Sequence, residues 1–226
     1  MTARGPALLT GALVAGLLGL CGCAELTLPP RAGPPAAVSG SAASQERYRE
    51  ALDRFTRHAE IYELFDTRAF TAATLQTMAF RQARVARMAD FRSQTAADVE
   101  ALLAAERKAH EEALEVVVGL HANERRFDDM NKPNSIWSLA LVSEAGEVAP
   151  LTVERISRPD PNFVALYPYL GAFWTAYRVR FPRNLASGAP LLPETARKAT
   201  LRLSSSVGKV ELAFALEPGA SGAAWP

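Results

Sequence analysis

The sequence predicts an α+β fold in which a helical region (45–114) precedes a β-rich region (115–216). Up to about residue 114, apolar residues recur at the spacing of an amphipathic helix. After it, short β-branched and aromatic runs alternate with turn residues. The segment before residue 45 is too rich in Pro, Ala and Gly to belong to either region.

The amino-terminal residues have the order of an export signal. Arg4 supplies a positive start, and an apolar run follows from Ala7 to Leu20. A run of about 14 residues fits a signal peptide. As a helix it would be roughly 21 Å long, shorter than the ~30 Å hydrocarbon core of a bilayer. Residues 1–22 are therefore predicted to be a cleaved signal peptide rather than a transmembrane helix.

The run ends in Leu20-Cys21-Gly22-Cys23, which resembles the lipobox of bacterial lipoproteins. The resemblance covers only the first 23 residues. It implies cleavage between Gly22 and Cys23, acylation of Cys23, and anchoring to membrane lipid through two or more acyl chains. Ala24 resembles the outer-membrane address of Gram-negative lipoproteins, so the expected location is the periplasmic face of an outer membrane.

Composition narrows the function classes. Removing Arg4 from the 25 basic residues leaves 24, equal to the 24 acidic ones, and this balance argues against nucleic-acid binding. Cys21 would leave with the signal peptide and Cys23 would be acylated, so thiol chemistry and cysteine-held metals are excluded. We expect no cofactor. A mature chain of roughly 200 residues suffices for one or two domains.

Residues 23–44 are predicted to be a tether that begins at the lipidated cysteine. The segment is rich in Pro, Ala, Gly and Ser, and includes Pro29-Pro30 and Pro34-Pro35. In polyproline II it would reach roughly 60 Å from the bilayer at about 3.1 Å per residue. A spacer function and a segment of no selected length are equally compatible with this composition.

Three helices are predicted. The first starts with Ser44 as its cap and carries an apolar stripe of Tyr48, Leu52, Phe55, Ala59 and Tyr62. The second covers about 71–91. The third begins at Thr95, where Thr95 and Asp98 have the spacing of a capping box, and runs to about 114. Together they predict a small bundle or hairpin.

Six strands are predicted by β-branched or alternating runs at 115–121, 136–142, 148–156, 173–181, 200–203 and 210–216. Residues 144–147 form a predicted hairpin turn. The number and spacing of the strands indicate an antiparallel β-sandwich, with an immunoglobulin-like arrangement as one form of it. The tail 217–226 is expected to be disordered.

Two groups are candidate binding residues. Arg81, Arg84 and Arg87 would form a basic stripe on the second helix, able to meet lipid phosphates or an acidic partner, although most such stripes are solvated. The densest aromatic group is Phe163, Tyr167, Tyr169, Phe173, Trp174 and Tyr177. Most of this group is expected in the core, with Tyr167 and Tyr169 exposed. Tyr167, Tyr169 and Trp174 are the candidates for contact with a partner or glycan.

Motifs for catalysis or metals are weak. The three histidines, His58, His110 and His121, have no ligand one helical turn away and are expected to be solvated. Ser206 and Lys209 match Ser-x-x-Lys but lie in a predicted hairpin turn without companion motifs. The oxygen-rich segment Asp128, Asp129, Asn131 and Asn134 lacks the final Glu of a calcium loop and is expected to be a connecting loop.

The leading hypothesis is therefore a lipid-anchored, non-enzymatic module that binds a protein or assists assembly in the envelope. The first alternative is an envelope hydrolase whose residues are brought together only by the fold. The second is a lipoprotein that binds a glycan or another ligand with the aromatic segment 163–177.

Overall fold

The computed structural model of the chain describes residues 42–63 and 66–216. The predicted signal peptide, Gly22, Cys23, the tether up to residue 41 and the tail 217–226 lie outside these ranges. Within them, four α-helices and nine strands belong to one compact unit. Among these helices, none combines the length and the apolar character needed to cross a bilayer.

The α-helices are α1 (Ala42–Phe55), α2 (Met78–Arg92), α3 (Ala96–Glu112) and α4 (Pro161–Leu166), and a short 3-10 helix covers Arg125–Phe127. The predicted start of α3 is confirmed. Thr95 accepts a hydrogen bond from the Asp98 N–H while the Asp98 carboxylate accepts one from the Thr95 N–H. The predicted cap at Ser44 is wrong, because Ser44 lies inside α1 and is buried.

The strands are β1 (Thr56–Glu63), β2 (Asp66–Leu75), β3 (Leu114–Ala122), β4 (Ser138–Ser143), β5 (Glu147–Val148), β6 (Thr152–Ile156), β7 (Thr175–Phe181), β8 (Lys198–Ser205) and β9 (Gly208–Ala215). They form a five-stranded sheet, β1-β2-β3-β7-β6, and a four-stranded sheet, β5-β4-β8-β9. Every named pair is antiparallel. The fold is α+β, as predicted.

The expected helices over 56–62 and 71–75 are wrong, because these residues form most of β1 and the end of β2. β2 lies between β1 and β3, and its residues from Thr71 to Leu75 are all buried. A strand covered on both faces shows no alternation, so its apolar run looks like a buried helix. The two strands also fall within the segment expected to be helical, and they share a sheet with β3 beyond it.

The predicted strand 148–156 is divided in two. β5 pairs with β4 through the predicted turn, where the Ser143 N–H donates to Gly146 O at 2.8 Å. β6 instead pairs with β7 in the other sheet. Pro150 lies between them and has no N–H for a ladder, which favours a break at this point.

The five-stranded sheet is covered on both faces. Alternate residues of β3 point to opposite sides: Val116, Val118 and Leu120 enter an apolar cluster shared with the four-stranded sheet, whereas Val117 enters a second cluster. The second cluster is completed by side chains from α1, α2 and the segment 163–176. The aromatic segment therefore packs on the helical side of the sheet.

The first strand also contacts the last. Arg57 on β1 donates from Nε to the carbonyl of Ala213 on β9 at 2.9 Å. Nearby, Gly208 has a φ of 142° and faces Ile61 so closely that no side chain fits there. This corner joins the edge of one sheet to the edge of the other.

Candidate functional site

The predicted basic stripe is a buried ion-pair network instead of an exposed face. Arg81 exposes 2% of its side chain and pairs with Glu106 of α3 and with Glu115 of β3. Arg84 shares Glu106 and exposes 15%. The expectation that these two arginines contact lipid phosphates is wrong, because their guanidinium groups pair with carboxylates from α3 and β3.

Polar side chains complete this network. Gln76 accepts hydrogen bonds at Oε1 from Arg84 Nη1 (3.1 Å) and from the Tyr167 hydroxyl (3.0 Å), and its carbonyl accepts one from Arg81 Nε (3.1 Å). Burial raises the pKa of Tyr167 although the Arg84 charge acts to lower it, so the phenol stays protonated. We refer to Gln76, Arg81, Arg84, Glu106, Glu115 and Tyr167 as the buried network.

The glutamates of the buried network are fully paired, because Glu106 pairs with Arg81 and Arg84, and Glu115 pairs with Arg81 and with Arg178 of β7. Each of its groups is held by others in the same network, which leaves little freedom for a proton or a ligand. Such an arrangement fixes helices on a sheet, and removal of one partner is costly. The network is therefore structural.

Tyr167 is fully buried, so its predicted exposure is wrong. Tyr169 is half-buried, and its hydroxyl lies 2.9 Å from Thr74 Oγ1 and donates to Val117 O at 3.3 Å. Arg87 is half-buried with its guanidinium 5.8 Å from the ring centre of Phe91. These three side chains serve packing on the helical side of the sheet.

Trp174 is the predicted candidate that reaches a surface site. It lines a depression of about 200 Å³ together with Arg125, Asp128, Arg155, Phe173 and Thr175. Phe173 is 72% exposed, whereas Trp174 is half-buried. We call Arg125, Asp128, Arg155, Phe173 and Trp174 the arginine–aromatic site.

Strand register brings this site together. Leu120 near the end of β3 is paired with Thr175 at the start of β7, and Ile156 at the end of β6 is paired with Ala176. Because the strands are antiparallel, the ends of β3 and β6 meet the beginning of β7. Arg125 follows β3, Arg155 lies on β6, and Phe173 and Trp174 lead into β7.

The aromatic part of the site is held rigidly. The backbone N–H of Trp174 donates a hydrogen bond to the carbonyl of Gly171 at 3.1 Å. The backbone carbonyl of Phe173 accepts one from His121 Nδ1 at 3.0 Å. Gly119 on β3 lets the segment approach, since a Cβ there would lie 2.9 Å from Trp174 Cε3. His121 also stacks on Phe70 at a centroid distance of 6.0 Å. These contacts position the backbone of Phe173 and Trp174 and pack the Trp174 ring against β3.

The charged part of the site is only partly neutralised. Arg125 and Arg155 are exposed, and neither forms an ion pair with a described residue. Burial raises the pKa of the Asp128 carboxyl, against the lowering effects of the Ala122 N–H, His121 and both arginines. The Ala122 N–H donates to Asp128 Oδ1 at 3.2 Å. The site thus presents two cations, one carboxyl and two aromatic rings.

The predicted connecting loop is confirmed, because Asp128 to Trp137 has no helix or strand. Asp129 Oδ1 accepts a hydrogen bond from Ser135 Oγ at 2.9 Å, so this carboxylate oxygen stabilises the loop itself. Within the described ranges, no three His, Cys, Asp or Glu side chains converge to hold a metal ion. The Ser206–Lys209 match lies in the β8–β9 hairpin, with Ser206 in its turn and Lys209 at the start of β9.

Two other cavities are less suited to binding a ligand. One of about 40 Å³ lies between Phe55, Gln76, Glu115 and Leu216. At about 10–15 Å³ per water molecule, it holds a few waters rather than an organic ligand. A groove of about 300 Å³ between α1, α2 and α3 is lined mainly by Ala83, Val85, Ala86, Val99 and Leu103, with few polar groups.

Sequence reasoning missed Arg125, Arg155 and the role of Phe173. Arg125 and Arg155 are far apart in sequence, and only the pairing of β6 with β7 brings them near each other. The available signal was the adjacent pair Arg125-Arg126 directly after a strand. Phe173 was within the predicted aromatic group, but its exposure depends on the turn at Gly171.

No family model matches the chain, and no curated protein matches it. A search of solved structures finds a crystal structure, at 1.90 Å resolution, of a protein of unknown function from Burkholderia pseudomallei K96243. The two share 12% identity, with 79% of this chain and 86% of the other covered and a TM-score of 0.39. A likeness this distant carries no argument about this chain.

Proposed function

We propose that this chain is a lipid-anchored envelope lipoprotein whose folded part is a non-enzymatic interaction module. The lipobox-like segment ending at Cys23 supports the anchor, and Ala24 supports an outer-membrane location on the periplasmic face. The Pro-rich tether would hold the folded part away from the bilayer. The partner would be an envelope component rather than nucleic acid.

One observation carries the interaction role: Phe173 exposes 72% of its surface beside two arginines that have no ion pair among the described residues. An exposed aromatic side chain has a hydration cost that contact with a partner removes. Aromatic and arginine side chains are also the residues most enriched at the energetic centres of interfaces. The arginine–aromatic site is thus the part of the described surface best suited to recognition.

The finer fold assignment belongs to the same proposal. Side chains of both sheets enter one apolar cluster, which is the arrangement of a β-sandwich. An immunoglobulin-like sandwich would fit an interaction role, since such domains present binding loops at the ends of their strands. The arginine–aromatic site is at such an end.

The test is photocrosslinking in cells. A photoreactive phenylalanine analogue replaces Phe173, and the matched control replaces Leu151, which is also exposed (60%) but lies before β6. We expect a specific adduct from position 173, none from position 151, and loss of the adduct when Cys23→Ser removes the anchor. The same adducts from both positions, or none from 173, would contradict the proposed role.

An envelope hydrolase is the second candidate, favoured by one observation. The Asp128 carboxyl lines the depression, and burial raises its pKa, which is the direction that favours a general acid. A hydrolase would cleave the envelope component that it binds at the arginine–aromatic site. In that case Asp128→Asn would abolish the cleavage while binding of the component persisted. The alternative is excluded if the bound component is recovered uncleaved after incubation with the unaltered chain.

A further inference from the structure

The arginine–aromatic site combines features that define a ligand more narrowly than the proposed function requires. Guanidinium groups present planar pairs of N–H donors that match carboxylate and phosphate oxygens. Arg125 and Arg155 line the same depression and are not engaged in ion pairs within the described ranges. The first requirement on a ligand is therefore an anionic group.

The aromatic rings set a second requirement. Phe173 is largely exposed, and Trp174 is half-buried beside it. Both are held in place by the turn at Gly171 and by His121. A free inorganic anion would leave these rings in water, so the ligand needs an apolar ring face that can pack on them.

Asp128 sets a third requirement. Its Oδ1 accepts from the Ala122 N–H, and no described residue donates to its other oxygen. A carboxyl group at the edge of a binding site accepts hydrogen bonds from ligand hydroxyls and repels a second anion placed against it. The ligand must therefore present a hydroxyl group to Asp128 and its charge to the arginines.

Size sets the last requirement. The depression holds about 200 Å³, below the ~300–1,000 Å³ of sites for drug-sized molecules. One small ring fits, with any further chain extending into solvent.

From these four requirements we propose that the arginine–aromatic site binds an acidic sugar, with its carboxylate at Arg125 and Arg155, its ring face on Phe173 and Trp174, and a hydroxyl donating to Asp128. An acidic peptide would satisfy the arginines but would bring no hydroxyl to Asp128. The proposal rests on the proposed interaction role and specifies the chemistry of the component that is bound.

The experiment is a titration of the full chain, purified in detergent, followed through the indole N–H resonance of Trp174. The probes are glucuronate, glucose, acetate and inorganic phosphate. Glucuronate should shift the resonance saturably. Glucose lacks the charge, and acetate and phosphate lack the ring, so each should bind at least about tenfold more weakly, the equivalent of one charge-assisted contact.

Variants assign the contacts. Arg125→Gln, Arg155→Gln and Phe173→Ala should each weaken glucuronate binding by about tenfold, and none should disturb folding because all three side chains are exposed. Arg197→Gln is the matched control, since Arg197 is also exposed but lies next to β8 and does not line the site. It should bind glucuronate as the unaltered chain does.

Several outcomes would overturn the inference. Equal binding of glucose would remove the role of charge, and equal binding of acetate or phosphate would reduce the site to a simple anion site. Unchanged binding in both arginine variants, or no response of Trp174 to any probe, would also overturn it. If glucuronate failed these tests while position 173 gave a specific adduct in cells, the acidic-sugar inference would fail and the interaction role would stand. Failure of glucuronate binding together with absence of the adduct would contradict both proposals.

Discussion

Arg81 shows how a single charge can be placed almost entirely inside this protein. Its side chain is 2% exposed and reaches carboxylates on two different elements, Glu106 and Glu115. Taking the guanidinium out of water is costly, and the two carboxylates offset that cost only while all partners are present. The stability of the helical side of the molecule therefore depends on this residue.

We predict that Arg81→Met lowers the free energy of unfolding by about 3 kcal/mol, the lower end of the range for breaking a buried ion pair. The methionine fills a similar volume but removes both ion pairs of Arg81, so that Glu106 keeps only Arg84 and Glu115 keeps only Arg178. Denaturant unfolding measures the change. Arg92→Met, at the exposed end of the same helix, is the control and should stay within about 0.5 kcal/mol of the unaltered chain. Similar losses in both variants would contradict the structural role of Arg81.

The same residue shows what sequence reasoning can and cannot find. The spacing of Arg81, Arg84 and Arg87 indicates that they share a helix face, and all three do lie on α2. The spacing does not show what packs on that face. Glu106 comes from α3 and Glu115 from β3, so the burial of the arginines depends on tertiary contacts that no local pattern contains.

At the scale of elements, β3 and the segment 167–174 approach each other closely because Gly119 has no side chain. A Cβ at this position would lie 2.8 Å from Leu170 Cδ2 and 2.9 Å from Trp174 Cε3. Trp174 Cε3 belongs to a rigid ring, and Leu170 is buried, so neither atom can move away easily. The orientation of Trp174, and with it the shape of the arginine–aromatic site, thus depends on one residue of the neighbouring strand.

We predict that Gly119→Val displaces Trp174 and destabilises the protein by about 1–3 kcal/mol, the usual cost of overpacking. The measurements are thermal unfolding and the position of the Trp174 indole resonance. Gly171→Ala is the control, since its Cβ would lie 3.6 Å from Trp174 Cδ1, an ordinary contact. An unchanged resonance in Gly119→Val would mean that the close approach does not position Trp174.

Elements with local signals were predictable and others were not. The start of α3 at Thr95 is encoded by two residues one turn apart, and β3, β7, β8 and β9 are rich in β-branched or alternating residues. By contrast, β1 carries a spacing that also fits a helix, and Tyr62, assigned to the buried stripe, is 62% exposed on a strand. Pairing with β2 determined the structure of β1, which agrees with the rule that tertiary context overrides weak propensity.

At the scale of the whole molecule, the two sheets depend on each other. β3 and β7 contribute one face to the apolar cluster shared with β4, β8 and β9. β1 is joined to β9 through Arg57 and Ala213. Loss of β9 would therefore expose the shared cluster and free the edge of the first sheet.

We predict that deleting residues 208–226 abolishes cooperative unfolding of the entire described chain, including the five-stranded sheet that keeps all of its own residues. Near-ultraviolet circular dichroism and amide dispersion in NMR spectra report the loss. Deleting only 217–226, beyond β9, is the control and should leave the unfolding temperature unchanged. A native-like five-stranded sheet in the larger deletion would show that the two sheets fold independently.

The contact of β1 with β9 also bears on when the chain can fold. β1 is the first of the described strands to be synthesised, and β9 is the last. Contacts between segments so far apart in sequence form slowly. By this topology, folding of the described residues is complete only after β9, the last of their strands, has been synthesised.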